Sequence, residues 1–190
     1  MPWVIDLAHS QLEFSVRHMM ISTVRGRFNK FSGTLNINEA QLEASSAEGT
    51  AETASINTND PNRDTHLRSP DFFDAEKYPL MSFRSGKITR VEEGRYKVAG
   101  LLTIRDVTRE VVFDVSMEGF GKDPWGNRRI GLAAQATINR KDFGLTWNVA
   151  LETGGWLVQD QVKISADLEA VYQAEAQSEP AQASSETSAA

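Results

Sequence analysis

Apolar side chains recur at every second position over most of this chain, and that period constrains the fold more than any other feature. Leu12, Phe14 and Val16 alternate with Glu13, Ser15 and Arg17, and Val111, Phe113, Val115 and Met117 alternate with Val112, Asp114 and Ser116. Ile130, Leu132, Ala134, Ala136 and Ile138 repeat the pattern, as do Val162, Ile164, Ala166 and Leu168. Successive β side chains point to opposite faces, so this spacing predicts half-buried antiparallel strands, dry on one face and wet on the other. Weaker versions over 31–37, 47–56, 80–88 and 96–104 raise the expectation to about eight long strands, of up to about ten residues. Turn signals fall between them at Glu93-Gly94, at Lys122-Asp123-Pro124-Trp125-Gly126-Asn127 and at Gly154-Gly155.

One region departs from the period. Asp60 stands directly before Pro61, an N-cap followed by proline at the first helical position, and Ser69-Pro70 repeats the device. Two short helical turns are therefore predicted between Ile56 and Leu80, and a third over 19–24. Eight antiparallel strands must protect their edges, by closing into a barrel or pairing as a sandwich. Long strands joined mostly by hairpins after Leu80 favour the barrel. The expectation is an all-β, antiparallel eight-stranded β-barrel with short helical insertions.

Composition narrows the function. Twenty-six acids against 20 Lys and Arg give a net charge of −6, which disfavours a nucleic-acid partner. No stretch approaches the roughly 20 apolar residues of a membrane-spanning helix, so no integral membrane segment is expected. The absence of cysteine removes thiolate nucleophiles, thiolate metal sites and disulfides together. The first residues show no basic or apolar leader, from which a cytoplasmic location is expected. Three of the acids and none of the bases lie in 173–190, which has no aromatic or large aliphatic residue. The reading is a barrel domain over 1–172 and a disordered acidic tail over 173–190.

An eight-stranded barrel is just wide enough to be filled by side chains or to hold one small ligand. Small residues at inward positions (Ala134, Ala136, Ala166, Ala170, Gly100) leave room, whereas nine Phe and four Trp could fill it. Spacing alone leaves hollow and filled both open.

Several blocks together resemble one family. Trp3-Val4-Ile5-Asp6-Leu7-Ala8-His9-Ser10, Leu12-Glu13-Phe14-Ser15-Val16-Arg17-His18 and Val24-Arg25-Gly26-Arg27-Phe28 are similar to the YceI-like polyisoprenoid-binding proteins. So are the stretch from Asn62 to Asp74, Tyr78-Pro79 with Phe83, the stretch from Gly100 to Thr108, and Asn139-Arg140-Lys141-Asp142-Phe143-Gly144-Leu145. The blocks run in order from Trp3 to about Tyr172. The resemblance implies an extended lipocalin-like barrel that holds a long isoprenoid, such as a polyprenyl phosphate or polyprenyl quinone, in an apolar tunnel, for transport or storage. It implies no metal, no cofactor and no catalysed reaction. Many family members are periplasmic, and the oligomeric state, monomer or homodimer, is left open.

Such binding has a simple physical basis, since burying a hydrocarbon chain contributes roughly 0.8 kcal/mol per methylene, less the cost of ordering it. Candidate walls are Phe14, Val16, Phe28, Phe83, Ile104, Phe113, Ile138 and Trp147, with Leu67, Phe72 and Phe73 brought by the helical insert. Candidates for the polar head are His18, Arg63 and His66; the last two, three residues apart on a helix, could share a face. Arg supplies a planar fork suited to phosphate, although Asp60 and Asp64 compete for Arg63. For His18 the competing reading is a satisfied buried histidine.

Other chemistry finds less support. Asp6, His9 and Ser10 are the residue types of a hydrolytic triad, but such groups meet through the fold rather than by proximity in sequence. There is no G-x-S-x-G elbow and no metal-ligand spacing among the three histidines. The alternatives to a lipid binder are a structural or interaction scaffold with a packed barrel and, behind it, a small-molecule hydrolase.

Overall fold

The computed structural model describes residues 2–173. The strands are β1 (Pro2–Ile5), β2 (Gln11–His18), β3 (Ser22–Phe28), β4 (Phe31–Asn36), β5 (Ser46–Glu52), β6 (Ile56–Asn57), β7 (Leu80–Glu92), β8 (Arg95–Ile104), β9 (Val107–Lys122), β10 (Arg128–Asn139) and β11 (Val158–Tyr172). One α-helix, α1 (Pro61–Arg68), interrupts them. Every pairing is antiparallel. The first six strands are three long strands, each broken by a short irregular stretch. β1 and β2 lie end to end along β11, β4 and β3 along that pair, and β5 and β6 along the next. Joined in this way they form, with β7 to β11, a meander of eight bent strands. The ring closes where Trp3 of β1 lies opposite both Leu35 of β4 and Tyr172 of β11. Closure removes the free edges that an open sheet would expose.

The expected strands are present, and several run longer than ten residues; β9 has 16 and β11 has 15. Two expectations change. The stretch 19–24 is not helical: 19–21 form the tip of the β2–β3 hairpin, with His18 opposite Ser22, and 22–24 open β3. Met19 and Met20 both have positive φ there, 51° and 60°, which makes a tight reverse turn of a sequence without the usual Asn or Gly. The Asp60-Pro61 signal does start a helix, and the Asp60 carboxylate accepts from the Asn62 and Arg63 N–H groups. Ser69 ends that helix instead of starting another. Its hydroxyl donates to the His66 carbonyl, and residues 70–77 continue as turns. Apart from Gln173, the expected tail lies outside the described residues.

Buried apolar residues form three clusters, one of them Phe28, Ala51 and Ile56. Trp3, Leu35, Ile130 and Ala170 pack at the end where the ring closes. Phe72, Leu102, Ile104, Ala136, Ile138 and Phe143 belong to a larger cluster beside the helix. At the closure, Arg129 of β10 joins three elements, with Nη1 2.8 Å from Asp6, Nε 3.0 Å from Asp123, and a further bond to Glu169 of β11. Bonds from Arg129 and His9 hold the Asp6 pKa down at about 2. A carboxylate depressed on folding adds stability above its unfolded pKa, roughly 3.9, and loses it as pH falls toward the folded value. The melting temperature is therefore expected to fall between about pH 4 and pH 2. In Asp6→Asn that fall should be shallower, from a lower starting value; parallel curves for the two proteins would refute this role for Asp6.

Candidate functional site

These clusters leave a cavity of about 630 Å³ inside the barrel, within the size range of small-molecule sites, and its wall is almost wholly apolar. Inward-facing residues on its wall, such as Phe113, Ala134 and Ile164, are only half-buried although they point to the barrel axis. That combination identifies a hollow interior. Of the small residues expected to leave room, Ala134 and Ala166 lie on the wall. Gly100 serves otherwise. A Cβ there would meet Phe83 Cζ at 2.5 Å, so the glycine makes room for the Phe83 ring. Ala170 is packed with Trp3, and Ala136 belongs to the cluster beside the helix.

All of the candidate wall residues lie on the cavity wall. Phe14 and Val16 come from β2, Phe28 from β3, Phe83 from β7, Ile104 from β8, Phe113 from β9 and Ile138 from β10. Leu67, Phe72 and Phe73 come from the helix and the turns after it, and Trp147 from the segment before β11. Several pack edge to face: Phe83 against Phe113 at 5.1 Å between centroids, and Phe28 against Phe73 at 5.7 Å.

The polar candidates also reach the wall. Arg63 is anchored chiefly by Thr58, its Nε donating to Thr58 Oγ1 and its Nη2 to the Thr58 carbonyl, both at 2.8 Å. Of the acids expected to compete, Asp60 stands 4.0 Å from the guanidinium, and Asp64 is occupied by the Thr58 N–H and hydroxyl. His66 Nε2 lies 2.8 Å from an Asp71 carboxylate oxygen, and its ring packs edge-on against Phe72 and Trp147. With Asn62, these side chains form the polar part of the wall at the helix. His18 lines the wall from the end of β2, half-buried. Its ring makes no hydrogen bond among the described residues, which departs from the satisfied buried histidine.

Arg140 was not singled out from sequence. It is 4% exposed, and its guanidinium donates to the carbonyls of Leu145 and Trp147, each at 2.8 Å, and of Gln159 at 3.0 Å. Burial lowers its pKa, and Asp160 at 3.6 Å opposes the shift. It fixes the segment that carries Trp147, Leu157 and Val158 onto the cavity. The carbonyls it binds belong to the loop before β11 and to β11 itself, and no side-chain spacing announces them. The triad types do not assemble: Ser10 Oγ bonds the backbone of Glu169, while His9 pairs with Asp6.

A closed meander of eight strands around an apolar cavity defines a lipocalin-like binding barrel. The chain belongs to the YceI family, whose YceI-like domain matches residues 3–170. A UPF0312 protein of Staphylococcus aureus is 37% identical over 168 residues, covering 88% of this chain and 95% of the relative. The crystal structure of the Campylobacter jejuni YCEI protein is 31% identical and superposes with a TM-score of 0.73, over 83% of this chain and 90% of that one. A polyisoprenoid-binding domain from Saccharophagus degradans has the same fold at 15% identity, with a TM-score of 0.67 over 90% of this chain and 98% of that one.

Proposed function

We propose that this protein is a non-catalytic carrier or store for a long-chain isoprenoid, a polyprenyl phosphate or polyprenyl quinone, or a similar amphiphile. The observation that carries the reading is the cavity of about 630 Å³, its wall almost wholly apolar, with Asn62, Arg63 and His66 meeting it at the helix. A hydrocarbon chain along the strands would gain roughly 0.8 kcal/mol per buried methylene. In this reading Arg63 and His66, which line the cavity at the helix, receive the phosphate or quinone oxygen, the guanidinium fork suiting the former. The polyisoprenoid-binding domain with the same fold supports this choice of ligand class. A packed scaffold would have no use for half-buried side chains facing its own axis.

Native mass spectrometry of the protein from its own host, followed by organic extraction, tests the proposal. The expected result is a stoichiometric adduct that releases a long-chain lipid. A clean apo mass, with no uptake from detergent-dispersed polyprenyl phosphate or quinone, would overturn it.

A further inference from the structure

Two loops meet beside the cavity and turn apolar side chains outward. The Met19 N–H donates to the Leu157 carbonyl at 2.8 Å, and the Leu157 N–H donates to the Val149 carbonyl at 2.9 Å, which joins the β2–β3 tip to the segment before β11. Met20 Sδ stands 3.0 Å from where a Cβ on Gly155 would lie. The joined loops expose Met19, Met20, Ile21, Val149 and Trp156, with Ile21 78% and Trp156 54% accessible. The patch continues the cavity wall: His18 and Leu157 line the cavity, and their chain neighbours Met19 and Trp156 face outward. The turn itself is informative. Two consecutive positive-φ positions in a hairpin favour Asn-Gly, and Met19 and Met20 occupy them against local backbone preference.

We propose that this patch docks the protein on the surface of a lipid bilayer, next to the cavity that exchanges lipid with it. The inference rests on reading the cavity as a lipid site. A few exposed aliphatic and methionine side chains with one Trp suit insertion at the headgroup boundary, where Trp favours an apolar body with a polar edge. A second copy of the chain is a poorer occupant. Five partly exposed side chains offer on the order of 400 Å², against roughly 800 Å² per partner in a stable interface. The net charge of −6 disfavours attraction to anionic headgroups, so docking is apolar and insensitive to salt.

The test is flotation of the full chain with neutral phosphatidylcholine vesicles at low and high salt. In parallel, uptake of detergent-dispersed polyprenyl phosphate is followed by native mass spectrometry. The wild type should float at both salt concentrations. Ile21→Asp and Trp156→Ser should each lower partitioning roughly tenfold, while uptake from detergent stays unchanged. The double variant Met19→Asn, Met20→Gly gives the turn its preferred residues, so it should melt no lower than the wild type and still float less. Uptake without flotation, flotation untouched by these variants, or a dimer that Ile21→Asp converts to monomer would each overturn docking. Flotation without uptake by any of these proteins would uphold docking and remove the cavity reading instead.

Discussion

Arg140→Ala is expected to destabilise the protein by about 3 kcal/mol, which lowers the melting temperature by roughly 6–12 °C for a domain of this size. Arg140 is 4% exposed and holds carbonyls of residues 145, 147 and 159 together. Truncation leaves those acceptors unpaired in a confined space, and an unmade buried hydrogen bond is more damaging than a made one is beneficial. Arg140→Lys keeps the charge but replaces a planar fork of five donors by one ammonium, so it should recover only part of the loss. Thermal unfolding followed by circular dichroism reads the stability. Limited proteolysis reads the location, with new cleavage expected in 145–157. A loss of less than about 1 kcal/mol, the ordinary effect of a surface substitution, would show that the segment is held by its apolar contacts instead.

Ala134→Trp should abolish lipid uptake while leaving stability nearly intact. Ala134 lies on β10, opposite Ala166 on β11 and Val115 on β9, and faces the cavity. A tryptophan there would occupy space that a bound chain needs. In a packed interior the same change would force neighbours apart and cost about 1–3 kcal/mol. Two readouts therefore separate the alternatives. A hollow barrel gives a lost adduct with an unchanged melting temperature, and a packed one gives a lowered melting temperature with no adduct to lose. An intact adduct in a stable variant would move the ligand out of this part of the barrel.

The candidate walls on the strands were legible because the parity that takes Phe14 or Phe113 off the wet face also turns it toward the axis. The helical insert was legible from one dipeptide, since an Asp N-cap and a proline at the first helical position satisfy or remove orphan amide groups locally. Ser69-Pro70 misled because a serine hydroxyl serves a helix end as readily as a start, here by donating to the His66 carbonyl. The β2–β3 tip misled because its turn contains neither Asn nor Gly. Pairing of the flanking strands imposes positive φ on Met19 and Met20 against their own preference.

By itself, then, the sequence determined the strands, most of their turns, the start of the helix and which face of each strand is dry, because each depends on neighbours a few residues apart. Tertiary structure alone decided that three pairs of short strands act as three long ones and that the ring closes at Trp3. It decided that the gap at Gly100 goes to the Phe83 ring while the space at Ala134 and Ala166 remains a cavity. It also gave Arg140 its carbonyls and Arg63 its threonine. The volume left inside a closed barrel is the space its ring of strands encloses less the volume of the inward side chains from every strand, and no single stretch of chain contains that sum.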